Sequence, residues 1–264
     1  MDESKGAGRP APEPLEAYGF SDRGCVRLKN DDSFGYYIPV DSGLKENRGS
    51  LFAVADGVGS CAAGGAAGAE AVNVLLQEYY FGSFTEKAPQ RFLHAFQCTA
   101  LHLYTLSLSD TSSREMKCTL TSLLVRQNQF FITHVGDSKV LLLRDNHIHQ
   151  LTNDHNMAGK LLRLGLISAE SARDHPQRNI LLRAVGESPY VMPDFRSGTL
   201  RPGDQFYLIT DGITEDASAR ELGALLLERT LSVQSLAILT EELKKRGGND
   251  NMTILAVKVN RVPC

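Results

Sequence analysis

The chain has few cysteines, and their spacing argues against two classes of protein. Their number is odd and no two of them form a Cys-x-x-Cys pair; they are Cys25, Cys61, Cys98, Cys118 and Cys264. This pattern argues against a disulfide framework and against a zinc site. We therefore expect a reducing, cytoplasmic setting.

Long apolar runs and basic runs are also absent. No stretch of eighteen apolar residues occurs, so we expect no membrane span. The formal net charge is −3, and the densest basic run, residues 244–246, is typical of a helix end. Nucleic acid is therefore not a predicted partner. Residues 1–17 lack the apolar core of a signal peptide and are rich in glycine, proline and charge, which predicts a disordered tail.

Residues 18–262 have the composition of a single globular domain. Of all residues 42% are hydrophobic, and no internal repeat or low-complexity linker interrupts this part of the chain. Strand-like runs occupy 33–39, 51–56, 121–126, 130–136, 139–144, 205–211 and 252–259, and helical patterns occupy 66–80, 90–107, 219–229 and 232–246. Turn residues at 127–129 and 145–146 predict hairpins. Because helices come in pairs and strands in clusters, the pattern favours antiparallel sheets with helices outside them.

Aspartates recur where the predicted strands begin or end. Asp56, Asp137 and Asp211 follow or close strand-like runs, whereas Asp250 and the pair Asp31–Asp32 precede them. A single aspartate at such a boundary is most often a turn residue. Several carboxylates gathered at one end of a sheet would repel each other and lose hydration, so they need cations between them. An all-oxygen set without a histidine or cysteine cluster selects Mg²⁺ or Mn²⁺.

Residues 51–68, LFAVADGVGSCAAGGAAG, have the outline of a phosphate-binding loop between a strand and a helix. Nucleotide binding is disfavoured, because residue 62 is alanine where G-x-G-x-x-G needs its last glycine and no G-K-[ST] follows. Asp56 would also repel a bare phosphate. Metal ions between the two remove this conflict, and a pair of ions can clamp a phosphoryl group and turn water into hydroxide near neutral pH. Gly57 has no side chain, so its carbonyl can turn toward a metal.

Six segments occur in the order seen in one enzyme family: GCVRLKNDDSFGYY, LFAVADGVGS, HVGDSKVLLLRDNHIHQLTNDHN, NILLRAVG, GDQFYLITDGITE and GGNDNMTILAVKV. On these segments the chain resembles the metal-dependent protein phosphatases of type 2C, and among them the compact bacterial members. The resemblance implies an α+β fold, a four-layer αββα sandwich of two antiparallel β-sheets flanked by helix pairs. It also implies a binuclear metal centre at one end, beside a small flap subdomain at about 156–180.

The resemblance assigns a role to each matching ligand. Asp56 resembles the carboxylate that bridges two Mn²⁺ or Mg²⁺ ions, and Gly57 resembles the residue that gives its carbonyl. Asp211 and Asp250 match two further carboxylates that hold one of the ions. Asp32 matches an acid that binds metal directly or through water.

Further positions around these ligands also match. Asp137 resembles the aspartate that, with Asp211, holds a third, weaker ion in bacterial members. Arg27 resembles the arginine that grips the substrate phosphate, a task for which the guanidinium fork is suited. Asp31 stands where the family usually has glutamate, and it is shorter by one methylene, so we do not expect it to bind metal directly. We expect Asp31 and Asn251 to contact the metal ligands without binding metal themselves.

Besides Asp31, the chain departs from the family pattern at Val58 and Lys139. Val58 stands where animal members carry a histidine proposed as general acid, a role typically worth about 10²–10⁴-fold in rate, and no replacement is evident. Lys139 replaces a common arginine and is expected to be a surface strand residue. We expect His155 to be structural, and His147 and His149 to lie on a solvated hairpin.

The function implied by the resemblance is hydrolysis of phosphoserine and phosphothreonine in proteins, by water activated at two metal ions. No phosphoenzyme is needed, and a D-x-D nucleophile pair is absent because Val58 follows Asp56 at the second position. By analogy the opposing enzyme is a serine/threonine kinase, and we expect a monomer. The alternative is a binding-only regulator that keeps the fold without the chemistry. The intact set of matching ligands argues against it.

Overall fold

The computed structural model describes residues 13–58, 63–83, 85–109 and 116–263. The strands are β1 (Leu15–Asp22), β2 (Asp32–Tyr37), β3 (Ser50–Val58), β4 (Lys117–Cys118), β5 (Leu120–Arg126), β6 (Gln129–Val135), β7 (Lys139–Arg144), β8 (His147–Gln150), β9 (Asp194–Thr199), β10 (Gln205–Ile209) and β11 (Met252–Val259). The helices are α1 (Ser42–Arg48), α2 (Ala63–Phe81), α3 (Ala88–Ser109), α4 (Met157–Arg163), α5 (Ala169–Arg173), α6 (Asp211–Glu215), α7 (Ala219–Leu227) and α8 (Val233–Lys244).

The strands form two antiparallel sheets. One has five strands in the order β1-β11-β10-β7-β8, and the other has six, in the order β2-β3-β5-β6-β9 with the short β4 beside β3. Both predicted hairpins are present. Gln127, Asp145 and Asn146 have φ values of 51°, 52° and 61°, the left-handed backbone that tight two-residue turns require. His147 and His149 are exposed on the second hairpin, as expected.

The two sheets pack face to face because successive residues of a strand point to opposite sides. In β3, Phe52 and Val54 are buried against the five-stranded sheet, where they belong to one cluster with Leu208 and Val257. The alternate residue Ala53 points the other way, into a cluster with α2 and α3. Strand alternation therefore gives each sheet an inner face against its partner and an outer face for helices.

The outer face of the five-stranded sheet is covered by α7 and α8. Leu222 and Leu239 of these helices share a buried cluster with Tyr207 and Ile254 of the sheet. The layers follow the order helix pair, sheet, sheet, helix pair, which confirms the predicted αββα sandwich. Among the described residues, no helix combines the length and the apolarity needed to cross a bilayer.

A strand that the sequence analysis does not predict precedes the first predicted one at 33–39. β1 starts at Leu15, which is buried, and it pairs with β11 along its whole length from Leu15 opposite Val259. The prediction that a disordered tail extends to residue 17 is therefore wrong for residues 15–17, because Leu15 contributes an apolar side chain to the core. The remainder of that predicted tail lies outside the described residues, apart from residues 13 and 14.

Two local features place the functional residues. The strand predicted at 205–211 ends at Ile209, and Asp211 is instead the first residue of the short helix α6. The flap region predicted at 156–180 contains α4 and α5, which lie between β8 and β9 in the chain. It therefore follows the hairpin strand and precedes the edge strand of the other sheet.

Candidate metal centre

The predicted aspartates converge at one end of the sandwich. β2 and β3 pair so that Asp32 lies directly opposite Asp56. Asp211 follows β10, Asp250 precedes β11, and Asp137 lies in the connection between β6 and β7. Carboxylate oxygens of Asp56, Asp137 and Asp211 all lie within 4.8 Å of one another. Residues from both sheets thus meet in one acidic cluster.

The carboxylates of this cluster resist ionisation. Burial, and then the charge of Asp211, raises the pKa of Asp56 well above its usual value. Burial and the charge of Asp137 do the same to the pKa of Asp211. Burial also raises the pKa of Asp32 to about 7 and that of Asp137 to about 6. Buried carboxylates that repel each other in this way are the groups that a divalent cation neutralises.

Two oxygens of the cluster have no hydrogen-bond donor in the described part of the chain. They are Oδ1 of Asp32 and Oδ1 of Asp211, and both are buried. A buried acceptor without a donor is costly, and a hard cation would satisfy it. The thiol of nearby Cys118 is buried and burial raises its pKa, so it offers no thiolate. An oxygen-only donor set of this kind fits Mg²⁺ or Mn²⁺.

Buried threonine hydroxyls hold two of the aspartates in place, one by its carboxylate and one by its backbone. The hydroxyl of Thr210 donates to Oδ2 of Asp32 at 2.7 Å and accepts from the backbone N–H of Thr253 at 3.0 Å. The backbone of Asp56 is fixed by Thr119, whose hydroxyl accepts from the Asp56 N–H at 2.9 Å. The Thr119 N–H donates in turn to the Asp56 carbonyl at 2.8 Å.

A second hydroxyl links this arrangement to Asp137. Oγ1 of Thr119 and Oγ of Ser138 are 2.8 Å apart, and both side chains are fully buried. Sequence reasoning missed Thr119, Thr210 and Ser138. The only available signal was adjacency, since Thr210 precedes Asp211 and Ser138 follows Asp137, whereas Thr119 lies far from either in the sequence.

Arg27 lies at the exposed edge of the cluster. Its Nη2 donates to Oδ2 of Asp250 at 2.5 Å, and about half of the arginine side chain, 52%, is exposed. This hydrogen bond raises the pKa of Arg27, and the charges of Asp56 and Asp211 act in the same direction. The structure thus places Arg27 beside Asp250, at the position that the resemblance implies.

Asn251 and Asp31 lie behind the cluster. Oδ1 of Asn251 accepts from the Asp31 N–H at 2.8 Å, while its Nδ2 donates to two carbonyls of the preceding loop, those of Arg23 and Lys29. The Asp31 carbonyl accepts from the N–H of Gly57 at 3.2 Å. Asn251 therefore fixes the loop that carries Arg27 and Asp31.

Lys139 is mostly buried rather than a surface residue, so that prediction is wrong. Only 13% of its side chain is exposed, and its Nζ lies 3.1 Å from Oδ2 of Asp154 and donates to the Asp137 carbonyl at 2.9 Å. Asn156 donates to Oδ2 of Asp137 at 3.3 Å. The side chain turns inward because the Asp154 carboxylate and the Asp137 carbonyl lie there. The hydrogen bond from Asn156 links the β6–β7 connection to the start of the flap.

His155 is buried and supports this connection from behind. Its Nδ1 accepts from the backbone N–H of Gly136 at 3.1 Å, and its ring lies 4.6 Å from that of His134. Burial lowers the pKa of both histidines. A buried ring that accepts a backbone hydrogen bond beside Asp137 agrees with a structural role for His155.

Known proteins share this sequence and fold. The family model of protein phosphatase 2C matches residues 27–250. The protein phosphatase PhpP of Streptococcus pneumoniae serotype 2 is 30% identical over 250 residues, which is 93% of this chain and 98% of the relative. The crystal structure of the serine/threonine phosphatase PstP/Ppp of Mycobacterium tuberculosis has a TM-score of 0.81 at 28% identity, covering 94% of this chain and 99% of that one.

A further solved structure contains metal. It is the catalytic domain of the serine/threonine protein phosphatase PstP in complex with two manganese ions, with a TM-score of 0.79, 27% identity, and coverage of 94% of this chain and 99% of that one. The family model spans most of the chain, and the relatives share its fold over nearly their whole length. The chain therefore belongs to the protein phosphatase 2C family.

Proposed function

We propose that this protein is a metal-dependent serine/threonine phosphatase that hydrolyses phosphoserine and phosphothreonine in proteins. The observation that carries the proposal is the cluster of Asp56, Asp137 and Asp211, whose carboxylate oxygens lie within 4.8 Å of one another. The raised pKa values of these groups support a site that divalent cations complete. A substrate phosphate would then meet cations rather than bare carboxylates.

The proposed ligands divide around Asp56. Its carboxylate experiences the charges of Asp211, Asp32, Asp137 and Asp250 together, which supports a position between two ions of Mn²⁺ or Mg²⁺. Asp211 and Asp250 would hold one ion. Asp32 would bind directly or through water, and the carbonyl of Gly57 would be a further ligand. Asp137, with Asp211, would hold a third and weaker ion.

Bound divalent ions would supply positive charge for the phosphoryl group and would lower the pKa of water, so that hydroxide is available near neutral pH to attack phosphorus. The protein's own part is to place the groups around that reaction. Arg27 is half exposed at the mouth of the cluster, where its guanidinium can direct two N–H groups to two phosphate oxygens. The hydroxyls of Thr210 and Thr119 keep Asp32 and Asp56 fixed while the substrate exchanges.

A binding-only regulator is the alternative function. It would be expected to lack part of the ligand set, or to hold the carboxylates apart. Asp56, Asp137 and Asp211 are instead close together, and two carboxylate oxygens lack any donor in the described part of the chain. A protein without the chemistry would gain nothing from this costly arrangement.

Hydrolysis of a phosphothreonine peptide by the purified protein tests the proposal, with Mn²⁺, with Mg²⁺ and with EDTA. We expect turnover with metal and none with EDTA, and we expect the Asp211→Asn variant to lose it. Asp145→Asn is the matched control, because Asp145 lies on an exposed turn with a side chain 77% exposed. Folded protein that hydrolyses no peptide under any metal would leave the binding-only regulator as the better account.

The setting that we propose is the cytoplasm, with a serine/threonine kinase as the opposing enzyme. The thiols of Cys25, Cys98 and Cys118 are free, which suits a reducing compartment. One chain supplies every proposed ligand, so a monomer suffices. Light scattering of the purified protein would check the oligomeric state.

A further inference from the structure

A cavity of about 410 Å³ lies between the flap helices and α6–α7. Its inner end is lined by Asp137 and Asp211, so it opens from the proposed metal centre. Apolar side chains, including Ala158 and Leu162 of α4 and Ala172 of α5, line part of its wall. The volume falls within the range of sites that bind small ligands or side chains. A substrate whose phosphate lies at the aspartates would have this cavity beside it.

The charges that line the cavity do not balance once the inner carboxylates are neutralised. Asp137 and Asp211 are proposed metal ligands. The two other acidic groups in the lining are already paired, since Asp154 lies 3.1 Å from the Lys139 Nζ and Glu215 lies 3.2 Å from Nη2 of Arg178. The remaining charged residues of the lining are all arginines: Arg163, Arg173 and Arg220.

These three arginines are accessible to solvent, and none of them has a close carboxylate partner in the described part of the chain. Among the described residues, neither Arg163 nor Arg220 has a carboxylate within ion-pair distance, and both are exposed. Arg163 donates one long hydrogen bond, of 3.4 Å, to the carbonyl of Asp154. Arg173 lies 3.7 Å from Glu221, which lies at the same distance from Arg246. The outer part of the cavity therefore presents an excess of positive charge at groups that favour planar anions.

We infer that this cavity binds a second anionic side chain of the substrate segment, on the same chain as the phosphorylated residue that reacts at the aspartates. The anion is a carboxylate or a second phosphate, since a guanidinium binds both through paired N–H groups. The inference rests on the proposed phosphatase function and adds a substrate preference to it. Phosphorylated segments with acidic neighbours are the preferred substrates.

Matched phosphothreonine peptides test this preference. The reference peptide has only neutral residues around the phosphothreonine. In a first set of peptides a single glutamate is placed at successive positions on either side of it. In a second set a second phosphothreonine is placed at the same positions. We expect kcat/KM to rise about threefold to tenfold for at least one anionic position, as for one or two partly exposed ion pairs. The gain should shrink as the salt concentration rises, because exposed charges are screened.

Arginine variants connect the preference to the cavity. In the double variant Arg163→Gln with Arg220→Gln, the ratio of kcat/KM between anionic and neutral peptide should fall to about one. Arg201→Gln is the control: its side chain is 62% exposed on the turn before β10, where it pairs with Asp145, and it should keep the full ratio. Circular dichroism of each variant checks that it is folded.

The outcomes separate the two proposals. A gain with glutamate that the double variant loses supports a carboxylate ligand, and a gain confined to the second phosphate supports a phosphate ligand. Hydrolysis of all peptides at equal rates, or a gain that survives in the double variant, overturns the cavity assignment alone. No hydrolysis of any peptide by folded, metal-supplied protein overturns the phosphatase function as well.

Discussion

Strand β10 has an aspartate near each end, and the two lie in opposite electrostatic settings. Asp204, before the strand, is buried and receives two hydrogen bonds from Arg144, at 2.7 and 2.6 Å, and one from the backbone N–H of Arg201 at 2.7 Å. Asp211, after the strand, faces Asp56 and Asp137 instead. Its Oδ1 has no donor in the described part of the chain.

The difference separates a stabilising carboxylate from a functional one. The charge of Asp204 is neutralised within the chain by a bidentate guanidinium, the geometry in which such a pair contributes to folding. Burial raises the pKa of Asp211, and the charges of Asp137 and the other neighbouring carboxylates raise it further. Mutual repulsion between buried carboxylates lowers stability, so such an arrangement is expected at a functional site rather than at a purely structural one.

Replacement of Asp211 by asparagine should have the largest effect of all on activity. The variant removes a proposed ligand of two ions, and we expect kcat/KM for a phosphothreonine peptide to fall by about 1,000-fold or more, beyond the 10- to 100-fold typical of groups around a ligand. The metal-free variant should be as stable as the parent or more so, because one repelling charge is gone. A large loss of stability in urea denaturation would contradict the contrast with Asp204.

Replacement of Asp204 by asparagine should do the reverse. The change leaves Arg144 without its carboxylate partner, and we expect the free energy of unfolding to fall by about 2–3 kcal/mol. This is at or below the lower end of the range for a broken buried pair, because Arg144 is partly exposed. The kcat/KM of the folded fraction should stay within about twofold, since Asp204 lies at the opposite end of β10. Urea denaturation and peptide hydrolysis measure the two effects. A loss of activity without a loss of stability would argue against a purely structural role for Asp204.

Sequence patterns alone could predict much of the cluster but not this contrast. Asp204 and Asp211 both border the same apolar run, so the local pattern treats them alike. What separates them is Arg144, which lies 60 positions from Asp204 in the chain. The convergence of Asp56, Asp137 and Asp211 could be predicted because the apolar runs mark the strands, and these aspartates lie at the strand ends.

Other features escaped prediction for similar physical reasons. β9 has mostly exposed or half-exposed residues and lacks an apolar pattern, so nothing local marks it as a strand. The short helix α1 depends on a cap from Asp41 rather than on a buried face, since none of its residues is buried. Lys139 turned out to be inward-facing because Asp154, which the sequence does not place beside it, reaches its ammonium group. Long-range polar pairs are set by the tertiary fold.

Replacement of Thr119 by valine should loosen the cluster by a smaller amount. The valine keeps the shape but removes the acceptor of the Asp56 N–H and the partner of Ser138. We expect the affinity for Mn²⁺, measured by calorimetry, to fall about tenfold, the lower end for a group that orients a ligand. Thr119→Ser should restore most of it.

A second threonine provides a matched control for this change. Thr133 forms an equally buried hydroxyl pair with Ser122, at 2.6 Å, between β5 and β6. Thr133→Val should lower stability by about 1 kcal/mol and leave Mn²⁺ affinity unchanged. Equal losses of affinity in the two valine variants would mean that the hydroxyl of Thr119 has no special relation to Asp56.

The smallest effect concerns the pH dependence of the metal-free protein. In the unfolded chain an aspartate releases its proton near pH 4, whereas burial raises the pKa of Asp137 to about 6 and that of Asp32 to about 7. Between those values the folded state binds more protons than the unfolded state, so stability falls as the pH rises. We expect a loss of at least about 1 kcal/mol from pH ~4.5 to ~7.5 in EDTA.

The two ends of β10 should respond differently in that titration. Asp211→Asn removes one of the repelling groups and should flatten the loss, whereas Asp204→Asn leaves those groups unchanged and should keep the slope. Mn²⁺ should abolish the loss in the parent, because an ion that binds only the folded state stabilises it most where the carboxylates are ionised. If the stability of the metal-free protein rose with pH over this range, the charges of these carboxylates would already be neutralised by groups of the chain. Arg144 neutralises Asp204 in this way.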